Sequence, residues 1–164
     1  LKWTRRCLTA NVNIFETFTQ GRTAVLSSAS QGHVTSRIMS VVLLNKKFYF
    51  QTDCKFRKYS QIKENPQVAL CSDNMQIEGI CSEVGFPSQF PEFLSLYNQC
   101  FPGAYQKYSH LESTRLFCIS PIYIQIWCYI GNQPHILSLD FVRRIYEERL
   151  YPITNNYIFE NAND

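Results

Sequence analysis

The chain has 164 residues, a length that fits one domain over 1–164, and 45% of them are hydrophobic, enough for an ordinary core without a metal or a disulfide framework. A net charge of +3 and a pI near 8.5 make only a mild basic excess, without the basic stripe of a nucleic-acid binder, and no run of about 20 apolar residues offers a membrane span. The seven cysteines, Cys7, Cys54, Cys71, Cys81, Cys100, Cys118 and Cys128, are odd in number and contain no C-x-x-C pair, so they indicate neither a zinc site nor a secreted disulfide scaffold.

Free thiols fit a reducing cytoplasm, and several alternate with apolar neighbours, as in Leu70-Cys71 and Trp127-Cys128, where Cys acts as a small hydrophobe. The basic start, Leu1 to Arg6, lacks the apolar stretch and cleavage site of a signal peptide. Leu8, Val12, Phe15 and Phe18 then recur at helical spacing, which predicts a helix over 8–19 that Gly21 can end. Strands are expected at 23–28 and 34–44, separated by a Gln31-Gly32 turn, and at 48–51 after the polar Asn45-Lys46-Lys47 turn. Thr52-Asp53-Cys54 offers capping groups for a helix over 55–64, and Asn65-Pro66 stops it.

Further strands are expected at 68–72 and 75–84 around Asp73-Asn74. Phe90, Phe93, Leu94 and Tyr97 share one stripe of a helix over 87–98, broken by Pro102-Gly103. The aromatic and β-branched run 116–130 reads as strand with a bend at Ser120-Pro121, and Gly131-Asn132 turns the chain into last strands at 135–139 and 142–146. The polar tail, 153–164, is expected to be mobile. About six strands joined as hairpins, with short helices outside, predict a mainly β (α+β) antiparallel barrel, which leaves no open edge.

The chemistry concentrates where a strand delivers Arg37, a second strand ends at Thr52, and a helix opens with Lys55, Arg57 and Lys58. The first N–H groups of a helix lack internal partners and carry partial positive charge. With Arg57 and Lys58 beside them they make a phosphate clamp. The same residues also fit a solvated helix face with an edge-strand arginine.

The order Ser36-Arg37, then Phe50-Gln51-Thr52, Arg57-Lys58, and Gln61-Ile62 followed by Asn65-Pro66, Val68 and Leu70 resembles the FMN-binding split β-barrels related to pyridoxamine 5′-phosphate oxidase. The resemblance covers about 24–84, with Ile77-Glu78-Gly79 matching the family's next strand and Trp127 its late one. It implies an FMN cofactor. Arg37, Ile38, Met39, Ser40 and Val42 would line the isoalloxazine ring, Gln51 and Thr52 the ring or ribityl chain, and Arg57 and Lys58 the phosphate. Asn74 stands where the family often has a Gln reaching the flavin from the other subunit, and Trp127 would pack at the ring's edge. A homodimer with the flavin sites between its subunits is implied, together with a small-molecule electron donor or acceptor.

The chain departs from the true oxidase. Val42 replaces the Lys that grips the substrate phosphate, the segment around His135 lacks the family's Arg, and Phe56 stands at the family's Ser. FMN recognition is therefore expected without vitamin B6 recognition. His135 reads either as a remnant of the substrate site or as a structural residue. The expected activity is an FMN-dependent oxidoreductase of open substrate. The rival readings are a non-catalytic flavin carrier or sensor, and a haem-binding split barrel with His33, His110 or His135 as axial ligand.

Overall fold

The computed structural model describes residues 4–6, 14–18 and 20–151, and the N-terminal half of the first expected helix, Cys7 and the C-terminal tail lie outside them. In chain order the elements are β1 (Thr4–Arg6), α1 (Ile14–Phe18), β2 (Gly21–Ser30), β3 (His33–Leu44), β4 (Lys47–Asp53), α2 (Arg57–Glu64), β5 (Gln67–Ser72) and β6 (Met75–Gly85). A 3₁₀ turn (Pro87–Gln89), α3 (Pro91–Cys100), α4 (Pro102–Tyr108), β7 (Thr114–Ile130), β8 (Gln133–Asp140) and β9 (Ile145–Leu150) follow.

Two-residue turns build the hairpins. Gln31 and Gly32 (φ 50 and 78), Asn45 and Lys46 (φ 49 and 63), and Gly131 and Asn132 (φ 56 and 67) each put both central residues at positive φ. That is the turn whose twist matches paired strands. The strands run in the order β7-β4-β3-β2-β5-β6, and β6 pairs back onto β7 to close a six-stranded antiparallel barrel. β7 is 17 residues long and serves two partners on one edge, β4 along 114–119 and β8 along 123–130. Its register against β6 slips between Glu78 and Gly79, opposite Tyr123 and Pro121, so the expected Ser120-Pro121 bend is a bulge. Beyond β8, β9 pairs antiparallel and β1 joins it in parallel.

The interior is filled by Leu26, Val41, Phe48, Phe50, Leu70, Ile77, Phe117, Ile119 and Ile124, each at most 1% exposed. Phe18 of α1 is wholly buried with its ring edge against Phe48, the centroids 4.9 Å apart. A second, smaller cluster of Val42, Phe93, Tyr97 and Leu116 packs α3 onto the outside of β3 and β7.

Several sequence expectations need correction. Gly21 does not end a helix but opens β2, where a Cβ would stand 2.8 Å from Cys100 Sγ. Thr52 and Asp53 remain in β4, and α2 starts at Arg57 behind Phe56, with no side-chain cap. The expected helix over 87–98 divides at Pro91, and Pro102 starts a new helix rather than only ending one, because Pro is well suited to the first helical turn. Val142 lies in the loop before β9. Cys71 is exposed rather than packed as a small hydrophobe, and among the described residues all the cysteines are free.

Candidate functional site

The barrel is split between β3 and β4. They pair only at Val42–Leu44 with Lys47–Tyr49. Continued past Tyr49, that register would set Ser40 opposite Gln51 and Met39 opposite Thr52, but there the strands part. A cavity of about 350 Å³ fills the split, with Ile38, Met39 and Ser40 on one side and Gln51, Thr52 and Asp53 on the other. Phe56 and Lys58 at the start of α2 close one end, and Tyr97, Ala104, Tyr108 and Leu111 come in from α3, α4 and the segment after them.

Two polar side chains of this cavity, Gln51 and Thr52, are unspent. Gln51 is 6% and Thr52 5% exposed, yet both amide atoms of Gln51 and the Thr52 hydroxyl lack hydrogen-bond partners. Buried polar atoms are nearly always paired, so these carry the signature of a site that takes a polar ligand. Tyr97 places its hydroxyl beside Ser40 and Gln51. Burial pushes this phenol up and those two neighbours pull it partly back.

Three cations crowd the same end. Burial and then the nearby Arg57 hold Arg37 below its ordinary range, and burial and then Arg37 lower Lys58. Among the described residues neither Arg57 nor Lys58 forms an ion pair; Lys58 Nζ instead stands 4.4 Å from the Phe56 ring centroid. Asp53 is engaged elsewhere, accepting from Ser113 Oγ at 2.6 Å and Lys55 N at 2.8 Å, and these bonds keep its carboxyl below the usual range. Like charges at an uncapped helix start raise one another's cost, and an anion would relieve it.

A family model for pyridoxamine 5′-phosphate oxidase matches residues 12–128. The chain belongs to the pyridoxamine 5′-phosphate oxidase family. Its fold is similar to that of a pyridoxamine 5′-phosphate oxidase-like protein of Listeria innocua (20% identity, TM-score 0.55, 69% of this chain and 94% of that one). It is likewise similar to a pyridoxamine 5′-phosphate oxidase-related, FMN-binding protein of Nostoc punctiforme (12%, 0.57, 84% and 90%). HutZ, a heme storage protein of Vibrio cholerae, is also similar (16%, 0.57, 66% and 87%). At these identities the likeness bears on the fold alone. No curated protein matches the chain.

Of the residues singled out by their resemblance to the pyridoxamine 5′-phosphate oxidase family, Ile38, Met39, Ser40, Gln51, Thr52 and Lys58 line the cavity together. Arg37 and Arg57 act on it through charge. Val42 is wholly buried beneath α3. Asn74 and Trp127 line a separate depression with Arg22, Cys128 and Tyr129, where Trp127 N donates to Asn74 O at 3.2 Å. His135 lies away from the cavity, its Nδ1 3.3 Å from Glu148 Oε1. Sequence reasoning missed Tyr97, Ala104, Tyr108 and Leu111, which look like ordinary helix-face or loop residues until the fold closes them over the split.

Proposed function

We propose that the chain binds FMN in this cavity and works as an FMN-dependent oxidoreductase, with a small-molecule electron partner. The observation that carries the reading is the union, in one split, of unpartnered buried polar atoms at Gln51 and Thr52 with a cluster of cations that form no ion pair among the described residues. Lys58 and Arg57, with the first amides of α2, would hold the phosphate, while Ser40, Gln51 and Thr52 would meet the polar edge of the ring or the ribityl chain. FMN when bound supplies the electron chemistry, and the protein supplies orientation and exclusion of water.

A homodimer completes the reading. Asn74 and Trp127 share no lining residue with the cavity, so a second copy would have to bring them to it. The exposed Val34 and Ile38 of β3, 71% and 73% accessible, give that copy an apolar surface to cover. Vitamin B6 phosphate is not the expected substrate. Val42 lies under α3 where the oxidase offers a Lys, and His135 faces Glu148. None of the described histidines lines the cavity, so it offers no histidine ligand to a haem iron.

The absorption spectrum of the purified protein after incubation with FMN tests the reading. Two visible flavin bands that persist through gel filtration are expected. A Soret band, or loss of all flavin, would overturn it. Oxidation of reduced nicotinamide by the loaded protein then separates an enzyme from a carrier.

A further inference from the structure

Tyr97 was not marked by any motif, yet it enters the site from a different layer. It sits on α3, is 4% exposed, and is fixed by stacking on Phe93 at 5.0 Å and by a tilted contact with Phe101 at 5.3 Å. A ring clamped on both sides has little freedom to swing, so its hydroxyl is a fixed group aimed at the strands. It stands beside Ser40 of β3 and Gln51 of β4, the two residues that face each other where the strands part, and all three line the one cavity. Neither amide atom of Gln51 has a hydrogen-bond partner, so the carboxamide beside this phenol keeps its whole donor and acceptor capacity.

We propose that Tyr97 is a positioning residue of this site, its phenol setting the Gln51 carboxamide and the Ser40 hydroxyl to read the polar edge of the ligand's ring rather than its phosphate. The inference rests on the flavin reading above and assigns a division of labour within it. The α2 cations take the phosphate, and the α3–β3–β4 relay takes a ring edge that carries both carbonyl acceptors and an N–H donor. A primary carboxamide matches such an edge because it offers both a donor and an acceptor.

Titrations of FMN and riboflavin against the wild type, Tyr97→Phe, Gln51→Leu and the double variant test this. Tyr97→Phe keeps the stacked ring and removes only the hydroxyl. It is expected to weaken FMN and riboflavin by the same factor, about three- to tenfold for one hydrogen bond, and to shift the visible flavin band. In the Gln51→Leu background the same change is expected to have little further effect, the non-additivity of a relay. Equal affinities in wild type and Tyr97→Phe would overturn the inference, as would a loss confined to FMN or losses that simply add in the double variant. Should Tyr97→Phe fail to fold, Ser40→Ala paired with Gln51→Leu reads the same coupling from the strand side, and additivity there would overturn it. A wild type that takes up neither flavin removes the flavin reading itself, an outcome distinct from a flavin-loaded wild type that is indifferent to Tyr97.

Discussion

Arg37 Nη2 donates to Gln61 Oε1 at 2.9 Å, tying β3 to the buried face of α2. The same guanidinium donates to Ser28 Oγ at 2.8 Å and to the Leu26 carbonyl at 3.2 Å. One side chain thus fixes the helix whose first turn carries Arg57 and Lys58. Arg37→Met removes these charge-assisted bonds, while Ser28 Oγ and Thr35 Oγ1 still donate to Gln61 Oε1 at 3.3 and 3.0 Å, and is expected to cost about 2 kcal/mol of stability. Arg37→Lys should recover little, since an ammonium cannot span the same fork. Urea titration of the apo protein checks both.

The cation cluster predicts a cofactor preference. Lys58→Ala and Arg57→Ala are each expected to weaken FMN more than tenfold, because charge-assisted bonds contribute about 1.5–3 kcal/mol, and to leave riboflavin almost unchanged. A fluorescence titration showing equal loss for both ligands would contradict the assignment.

Alkaline stability follows from burial. Burial and then the neighbouring Cys118 push the Cys81 thiol up to about 12, well above its ordinary value. Burial likewise raises the Tyr49 phenol to about 12, with Cys118 next in weight. A raised folded pKa means that the neutral form is favoured in the native state. The unfolded chain loses its proton first, so stability is full below about pH 9 and falls as pH climbs towards 12. For Cys81 alone the slope is on the order of a kcal/mol per pH unit. Cys81→Val should flatten the alkaline limb of a pH–stability curve between 9 and 11, and an unchanged limb would refute the account.

Two glycines differ in what surrounds them. A Cβ at Gly79 would stand 2.5 Å from Ile119 Cγ2 and 2.8 Å from the Ser120 carbonyl, beside the β7 bulge. The carbonyl is backbone and cannot retreat, so Gly79→Ala is expected to destabilise by about 2–3 kcal/mol. At Gly21 the obstacle is the Cys100 side chain. Gly21→Ala should therefore cost less, and Cys100→Ala should largely rescue it. Thermal midpoints of the three variants and the double decide the point.

Hairpins were legible in the sequence because their turns are local: Gln31-Gly32, Asn45-Lys46 and Gly131-Asn132 announce themselves by residue type. That Ser40, Gln51 and Lys58 come together in the candidate site was legible for the same reason, since they sit in one short motif on β3, β4 and α2. Tyr97 and Leu111 were not, because their place depends on α3 and α4 folding back over strands about 50 residues earlier in the chain, which no spacing records. The misread at Pro102 had a local cause, as proline both stops a helix and suits the start of the next. Gly21 was read for its backbone freedom when its reason is the close approach of Cys100.

The double duty of β7 has a consequence for synthesis. A ribosome that has released the chain only as far as Ser113 has made five barrel strands and not the sixth. The order β4-β3-β2-β5-β6 is then an open sheet whose two outer strands wait for the same missing partner. Each displays a row of unpaired backbone groups, a template for a neighbouring nascent chain. Closure is a single late event in which residues 114–119 join β4 and residues 116–126 join β6. Chains terminated before β7 should therefore be the aggregating species, and those that reach Ile130 should be able to close the barrel.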